Sequence, residues 1–299
     1  MSLFQILGLI VYAAESIISP LPDDQIVYPN ITETRESAPA TSFASIYDIA
    51  MGESPVFTVT PSPTSTPTPT PKALAKTARK KAFTISIIGD SMVDTLGPDG
   101  GGLDSKLRAI YPSASFTIIN HGVGATNIDY GLERLTHGYS YLGTNRPSVI
   151  SQNPDVIVIE SFGYNPYPYD EGAISKHWTQ LAAMVNTIHT QLPSTKIVIA
   201  TTIAPNWDVF GDGAPFINMS PEGKRQKVNT IKQYLESTVS FARGEHLPLA
   251  DAYHPSLDAQ GNGKIGYING GDHIHYSGEG RSFMASTIAR TISENRLLE

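Results

Sequence analysis

The sequence predicts an α/β fold, a three-layer α/β/α sandwich built on a flavodoxin-like parallel sheet of five strands in the order 2-1-3-4-5. Three observations carry this. Short apolar runs rich in Val and Ile recur from residue 83 onward, and longer helix-like stretches separate them. The runs are continuously apolar rather than alternating, as strands covered on both faces must be. Strand–helix alternation of this kind places helices on both faces of one sheet.

The strands are expected at 83–88 (FTISII), 115–120 (SFTIIN), 155–160 (DVIVIE), 196–201 (KIVIAT) and, more weakly, 247–253 (LPLADAY). Helices are expected at about 102–111, 126–137, 172–192, 219–242 and 277–293. Ser220-Pro221 and Ser277 supply N-terminal caps for the last two, because a serine oxygen accepts from an N–H of the first turn and proline suits the first helical position. The folded domain is expected over 82–299, long enough for a substantial core.

The preceding residues have a different texture. Residues 1–14 include a dozen-residue apolar run that is shorter than the roughly 20 residues of a membrane span. They read as a signal or anchor remnant, although a basic leader is missing. Residues 15–57 show no sustained period and are expected to be poorly ordered. Residues 58–81 form a linker: a Pro/Thr-rich rod to position 71, then a basic end, KALAKTARKK, that either leans on an anionic surface or is simply solvated. A stalk of this composition points to an extracytoplasmic location, with membrane or cell-wall attachment through the N-terminus.

Charge narrows the partners. A net charge of −7 disfavours nucleic acid and anionic membrane, both of which reward clustered Lys and Arg. The chain has no cysteine, so disulfides and thiolate chemistry are excluded, and a zinc site would rest on His and carboxylates alone.

Chemistry is sought where the strands of an open α/β sheet end. The first strand runs into Gly89-Asp90-Ser91, which exposes a hydroxyl beside backbone N–H groups, although such a triplet also marks ordinary turns. The second leads to Gly122-Val123-Gly124-Ala125-Thr126, where glycine allows close backbone approach or merely a turn. The third leads to Gly163-Tyr164-Asn165, whose amide is a neutral oxyanion donor. Before the last helix stands Asp272-His273-Ile274-His275, in which a carboxylate three residues ahead can orient an imidazole.

These four blocks, in this order over about 83–293, resemble the SGNH/GDSL hydrolase family of serine esterases and lipases. The resemblance implies Ser91 as nucleophile, His275 as its base and Asp272 as the orienting acid. It implies an oxyanion hole of the Ser91 N–H, the Gly124 N–H and the Asn165 side chain, with Gly124 chosen over Gly122 for the G-x-T that follows. It implies acyl transfer without cofactor or metal. Pro166 stands where the family has Asp, so the Asn165 loop is expected to be held by Pro166 and Pro168 instead of a carboxylate. Asp90, Tyr164, Tyr167 and Trp207 are possible substrate contacts; with Tyr169 and Phe210 in the same loops the aromatics could form a sugar-stacking or acyl-contact wall, although packing is the plainer role for most of them.

The function expected is a carbohydrate O-acetyl esterase acting, as a monomer, on extracellular polymers. A lipase, lysophospholipase or short-chain carboxylesterase is the alternative within the class, and a non-catalytic surface-binding module the alternative outside it. A metal cluster of Asp272, His273 and His275 is a further reading of the same loop. The sequons at Asn30 and Asn218 are taken as chance matches.

Overall fold

The computed structural model describes residues 75–299, so the expectations for 1–14, 15–57 and the Pro/Thr rod lie outside the described residues. Five parallel strands form the main sheet: β1 (Ala82–Gly89), β2 (Ser115–Gly122), and β5 (Val156–Glu160), β6 (Lys196–Thr201) and β7 (Leu249–Asp251). Their order is β2-β1-β5-β6-β7, the expected 2-1-3-4-5. β1 and β2 pair over eight residues, from Ala82 opposite Ser115 to Gly89 opposite Gly122.

Six α-helices accompany them. These are α1 (Ser91–Asp94), α2 (Leu103–Ile110), α3 (Ile128–Thr136), α4 (Ala173–Gln191), α5 (Pro221–Gly244) and α6 (Gly278–Glu294). Ser220 Oγ accepts from the Gly223 N–H and Ser277 Oγ from the Gly280 N–H, as their positions in the sequence foretell. Helices α2 and α6 contact each other on one side of the sheet; α3, α4 and α5 form the other layer. The continuous apolar runs divide between the two faces by the strand period of two. Ile85, Ile87, Val156 and Val158 join the core under α2 and α6, and Ile88, Ile157 and Ile159 the core under α3 and α4. Among the described residues no helix is long and apolar enough to cross a membrane.

Two features differ from the sequence expectation. A short antiparallel hairpin, β3 (Tyr139–Tyr141) and β4 (Thr144–Arg146), follows α3. Its turn puts Leu142 and Gly143 at positive φ, a conformation that disfavours Leu and so hides the turn from a reading by residue type. The basic segment ahead of β1 is also no free linker end. The Lys76 and Arg79 N–H groups donate to Ile110 and Leu298 carbonyls, Lys76 Nζ reaches the Ser293 carbonyl and Glu299, and Arg79 and Lys80 both face Asp155. The ordered domain therefore begins several residues before 82.

Candidate active site

β1 delivers Gly89, Asp90 and Ser91 at the carboxyl end of the sheet. Gly89 is required by space, since a Cβ there would stand 2.3 Å from Val93 Cγ2 and 2.8 Å from Glu160 Cβ. Asp90 is the N-cap of α1, its Oδ1 accepting the Met92 N–H at 2.8 Å, and Ser91 opens the single turn of α1. Gly122, at the end of β2, packs against that turn so closely that a Cβ would meet Asp94 N at 2.1 Å. Gly124 behaves differently: a Cβ on it would stand 3.2 Å from the Tyr141 hydroxyl and 4.0 Å from Ser91 Cβ, so Gly124 borders the Ser91 side chain.

At the end of β5 the Asn165 amide donates to Asp90 Oδ2 at 2.9 Å. That bond spends one amide hydrogen and leaves the other for a ligand. Asp90 is fully buried with both carboxylate oxygens engaged, so it orients Asn165 and α1. Burial raises its carboxyl above the usual range, against the lowering effect of the Asn165 and Met92 bonds.

The expectation for the third loop is corrected. A carboxyl group does hold it, supplied by the strand itself: Glu160 Oε2 accepts the Phe162 N–H at 3.0 Å, and its Oε1 takes a short bond from Ser161 Oγ. Burial, and then the neighbouring charge of Asp90, raise the Glu160 carboxyl well above its ordinary value. His177 adds a bond at 2.7 Å to the Ser161 carbonyl. The loop tyrosines are structural as well. Tyr164 is buried and donates to the Ile203 carbonyl, while Tyr167 is buried and donates to Asp129 Oδ1. Trp207 lies with its ring under Lys232, at 4.2 Å to the ring centroid, and its backbone N–H donates to Asn262 Oδ1. In this structure the Tyr164 and Tyr167 hydroxyls are engaged in holding loops.

The fourth block is a preformed dyad. Asp272 Oδ2 lies 2.9 Å from His275 Nδ1, while Oδ1 accepts the Ile274 and His275 N–H groups at 2.9 and 3.1 Å. Both residues are buried. Burial by itself would raise the Asp272 carboxyl, but the bond to His275 and its charge outweigh this and hold it below the usual carboxylate range. Its ionised form fixes the imidazole with Nε2 toward the site. His275 Nε2 is buried and has no hydrogen-bond partner among the described residues, so no bond to Ser91 is formed in this structure. Catalytic hydrogen bonds are often long before substrate binds. His273 turns away, its Nδ1 meeting the Asp212 carbonyl at 2.6 Å, so the two histidines do not converge. Among the described residues no group of three or more His, Cys, Asp or Glu is arranged to hold a metal ion.

A cleft of about 420 Å³ opens beside His275. Asp94 and Thr95, on the turn that begins at Ser91, form one side; Asn269, Ser277, Gly278 and Arg281 belong to the other. The turn that begins at Ser91 and His275 thus border one polar cavity. Arg134, which the sequence reading passed over, is buried and ties two blocks together, donating to the Gly89 carbonyl at 3.0 Å and to Thr126 Oγ1 at 3.1 Å. Only its place on the inner face of α3 could have signalled this.

The fold is shared with solved hydrolases at low identity. A lipase/acylhydrolase from Enterococcus faecalis matches with a TM-score of 0.50 at 19% identity, over 71% of this chain and 96% of its own. A GDSL-like lipase from Bacteroides thetaiotaomicron matches with a TM-score of 0.50 at 13% identity, over 71% of this chain and 89% of its own. The chain has the fold of these GDSL-type hydrolases. No protein-family model matches the sequence, and no curated protein matches it.

Proposed function

We propose that the chain is a serine hydrolase of the SGNH/GDSL kind that cleaves carboxylic esters, with Ser91 as nucleophile. The observation that carries this is the buried Asp272–His275 dyad with its unpartnered Nε2, His275 lining the same cleft as Asp94 and Thr95 of the turn that Ser91 opens. An oriented imidazole with a bare nitrogen suits general-base activation of a hydroxyl.

In the first half-reaction Ser91 Oγ attacks the ester carbonyl and its proton passes to His275 Nε2. Asp272 stabilises the resulting imidazolium. The second amide hydrogen of Asn165 and the Ser91 N–H stabilise the oxyanion. His275 returns the proton to the leaving alcohol, the acyl–Ser91 ester forms, and water repeats the sequence to release the acid. Asp90 and Glu160 are positioning groups beneath this site.

The preferred substrate class is an O-acylated carbohydrate. Support comes from the cleft beside His275, where Asp94, Thr95, Asn269, Ser277 and Arg281 offer hydrogen-bonding groups suited to a hydroxylated alcohol rather than a long acyl chain. The Pro/Thr-rich segment before the domain supports action outside the cytoplasm on a polymer, with the chain attached through its N-terminus.

The test is turnover of acetylated sugars, acetylated xylan and an aryl-ester series of increasing acyl length by wild type and Ser91→Ala. Expected are activity on acetyl esters of sugars, decline with chain length, and a loss of at least about 10³-fold in Ser91→Ala. Rising activity with acyl length would favour a lipid substrate. Wild-type turnover by a well-folded Ser91→Ala protein would overturn the mechanism.

A further inference from the structure

The Gly124 N–H is already engaged. It donates to the hydroxyl of Tyr141 at 3.1 Å, and that hydroxyl donates in turn to Asp94 Oδ2 at 2.9 Å. An N–H carries one hydrogen, and a substrate oxygen bound by it would need a position about 2.7–3.1 Å from the nitrogen in the same direction. The phenol oxygen and a Gly124-bound carbonyl oxygen therefore compete for one place.

Tyr141 is not on a free flap. The Arg146 guanidinium lies over its ring, 5.2 Å from the centroid, and Arg146 Nη1 donates to the Asn120 carbonyl at 3.3 Å. Two residues back, the Tyr139 hydroxyl meets His121 Nδ1 at 3.0 Å, and His121 Nε2 lies 2.8 Å from Gln152 Nε2. The side of the hairpin facing the site is pinned to β2 and to the segment before β5.

We propose that Tyr141 is a catalytic residue of this chain, its hydroxyl replacing the Gly124 N–H as the group that meets the substrate oxygen. The proposal rests on the esterase reading above. The Gly124 N–H then acts from behind, polarising the phenol so that its O–H becomes a stronger donor. As charge builds on the carbonyl oxygen, the phenol hydrogen swings from Asp94 to that oxygen; no proton is transferred and none is lost. Burial first, and then Asp94, push the Tyr141 hydroxyl up to about 12 despite the bond from Gly124, so it remains a donor throughout the neutral range.

The experiment compares full-length wild type, Tyr141→Phe and Ser91→Ala on one aryl acetate, with thermal melts of each. An alkyl boronic acid serves as a charged tetrahedral mimic. Tyr141→Phe should melt near wild type, lower kcat by about 10²-fold with little change in KM, and weaken boronate binding in parallel with kcat/KM. If Tyr141→Phe is as active as wild type or more so, the freed Gly124 N–H does the work and the proposal falls, while the esterase reading stands. A fall confined to KM also overturns it. A wild type that turns over no ester overturns both.

Discussion

His273 and His275 stand two residues apart in one loop, yet their environments differ in kind. His275 is buried, bonded through Nδ1 to an ionised Asp272 and bare at Nε2; His273 sits at positive φ and spends Nδ1 on the Asp212 carbonyl. Removing the proposed general base should therefore lower kcat by about 10³-fold or more in His275→Ala. His273→Ala should lower it far less, since that side chain only ties the loop to residue 212. Steady-state kinetics of the two variants beside their melts check this, and a dead His273 variant with an active His275 variant would refute the assigned base. Asp90 shows the same lesson about residue identity. It reads as a substrate contact from its place beside Ser91, and it is a buried strut because Met92 and Asn165 both claim its oxygens.

Segment 75–81 changes meaning at the scale of elements. As sequence it is basic and Ala-rich with no period, but its charges are complementary to groups on the folded domain. Lys76 reaches the end of α6 and Glu299, while Arg79 and Lys80 reach Asp155 ahead of β5. Two backbone hydrogen bonds and a bond from Arg79 to the Leu297 carbonyl accompany these pairs. A chain beginning at Ala82 should accordingly be less stable than one beginning at Lys72. At a net 0.5–1.5 kcal/mol per hydrogen bond, and with the exposed pairs discounted for screening, the loss is about 2 kcal/mol. Urea unfolding of the two chains measures it, and identical midpoints would show that the segment adds nothing. The loop after β5 makes the same point: Glu160, His177 and Tyr234 hold it from three separate elements.

For the whole molecule, buried histidines set part of the response to acid. Burial lowers both His121 and His177 from the ordinary 6.5 to about 4. Above pH 6.5 neither the folded nor the unfolded chain protonates them, and stability is unaffected. Between 6.5 and 4 the unfolded chain takes up protons that the fold refuses, so stability falls as pH falls, by up to about 1.4 kcal/mol per pH unit for each histidine. Asp90 and Glu160, both raised, act in the opposite sense: the fold keeps protons that the unfolded chain releases as pH rises past the ordinary carboxyl range. The difference between variants isolates the histidine contribution. His177→Gln, which keeps a donor toward the Ser161 carbonyl, should lose less stability than wild type between pH 6.5 and 4. Denaturant unfolding at a series of pH values tests this, and parallel curves for the two proteins would refute it.

The sheet, its strand order and the four strand-end blocks were legible in the sequence because their causes are local and periodic. Continuous Val/Ile runs demand two covered faces, serines before helices cap them, and the spacing of Asp272 and His275 lets a carboxylate reach an imidazole within one loop. Gly124 could be preferred over Gly122 by its neighbours, though the reason it borders Ser91 is spatial: a Cβ on Gly122 would collide with the α1 backbone, whereas one on Gly124 would stand 4.0 Å from Ser91 Cβ. What only the tertiary structure decided are relations between residues far apart in the chain. Glu160 and Asp90 become a buried carboxyl pair because β5 and β1 are neighbours. Arg134 reaches the Gly89 carbonyl across 45 positions, and Tyr141 reaches Asp94 across 47. No period or spacing encodes such meetings, since they follow from which strand lies beside which and from how a hairpin folds back over the strand ends.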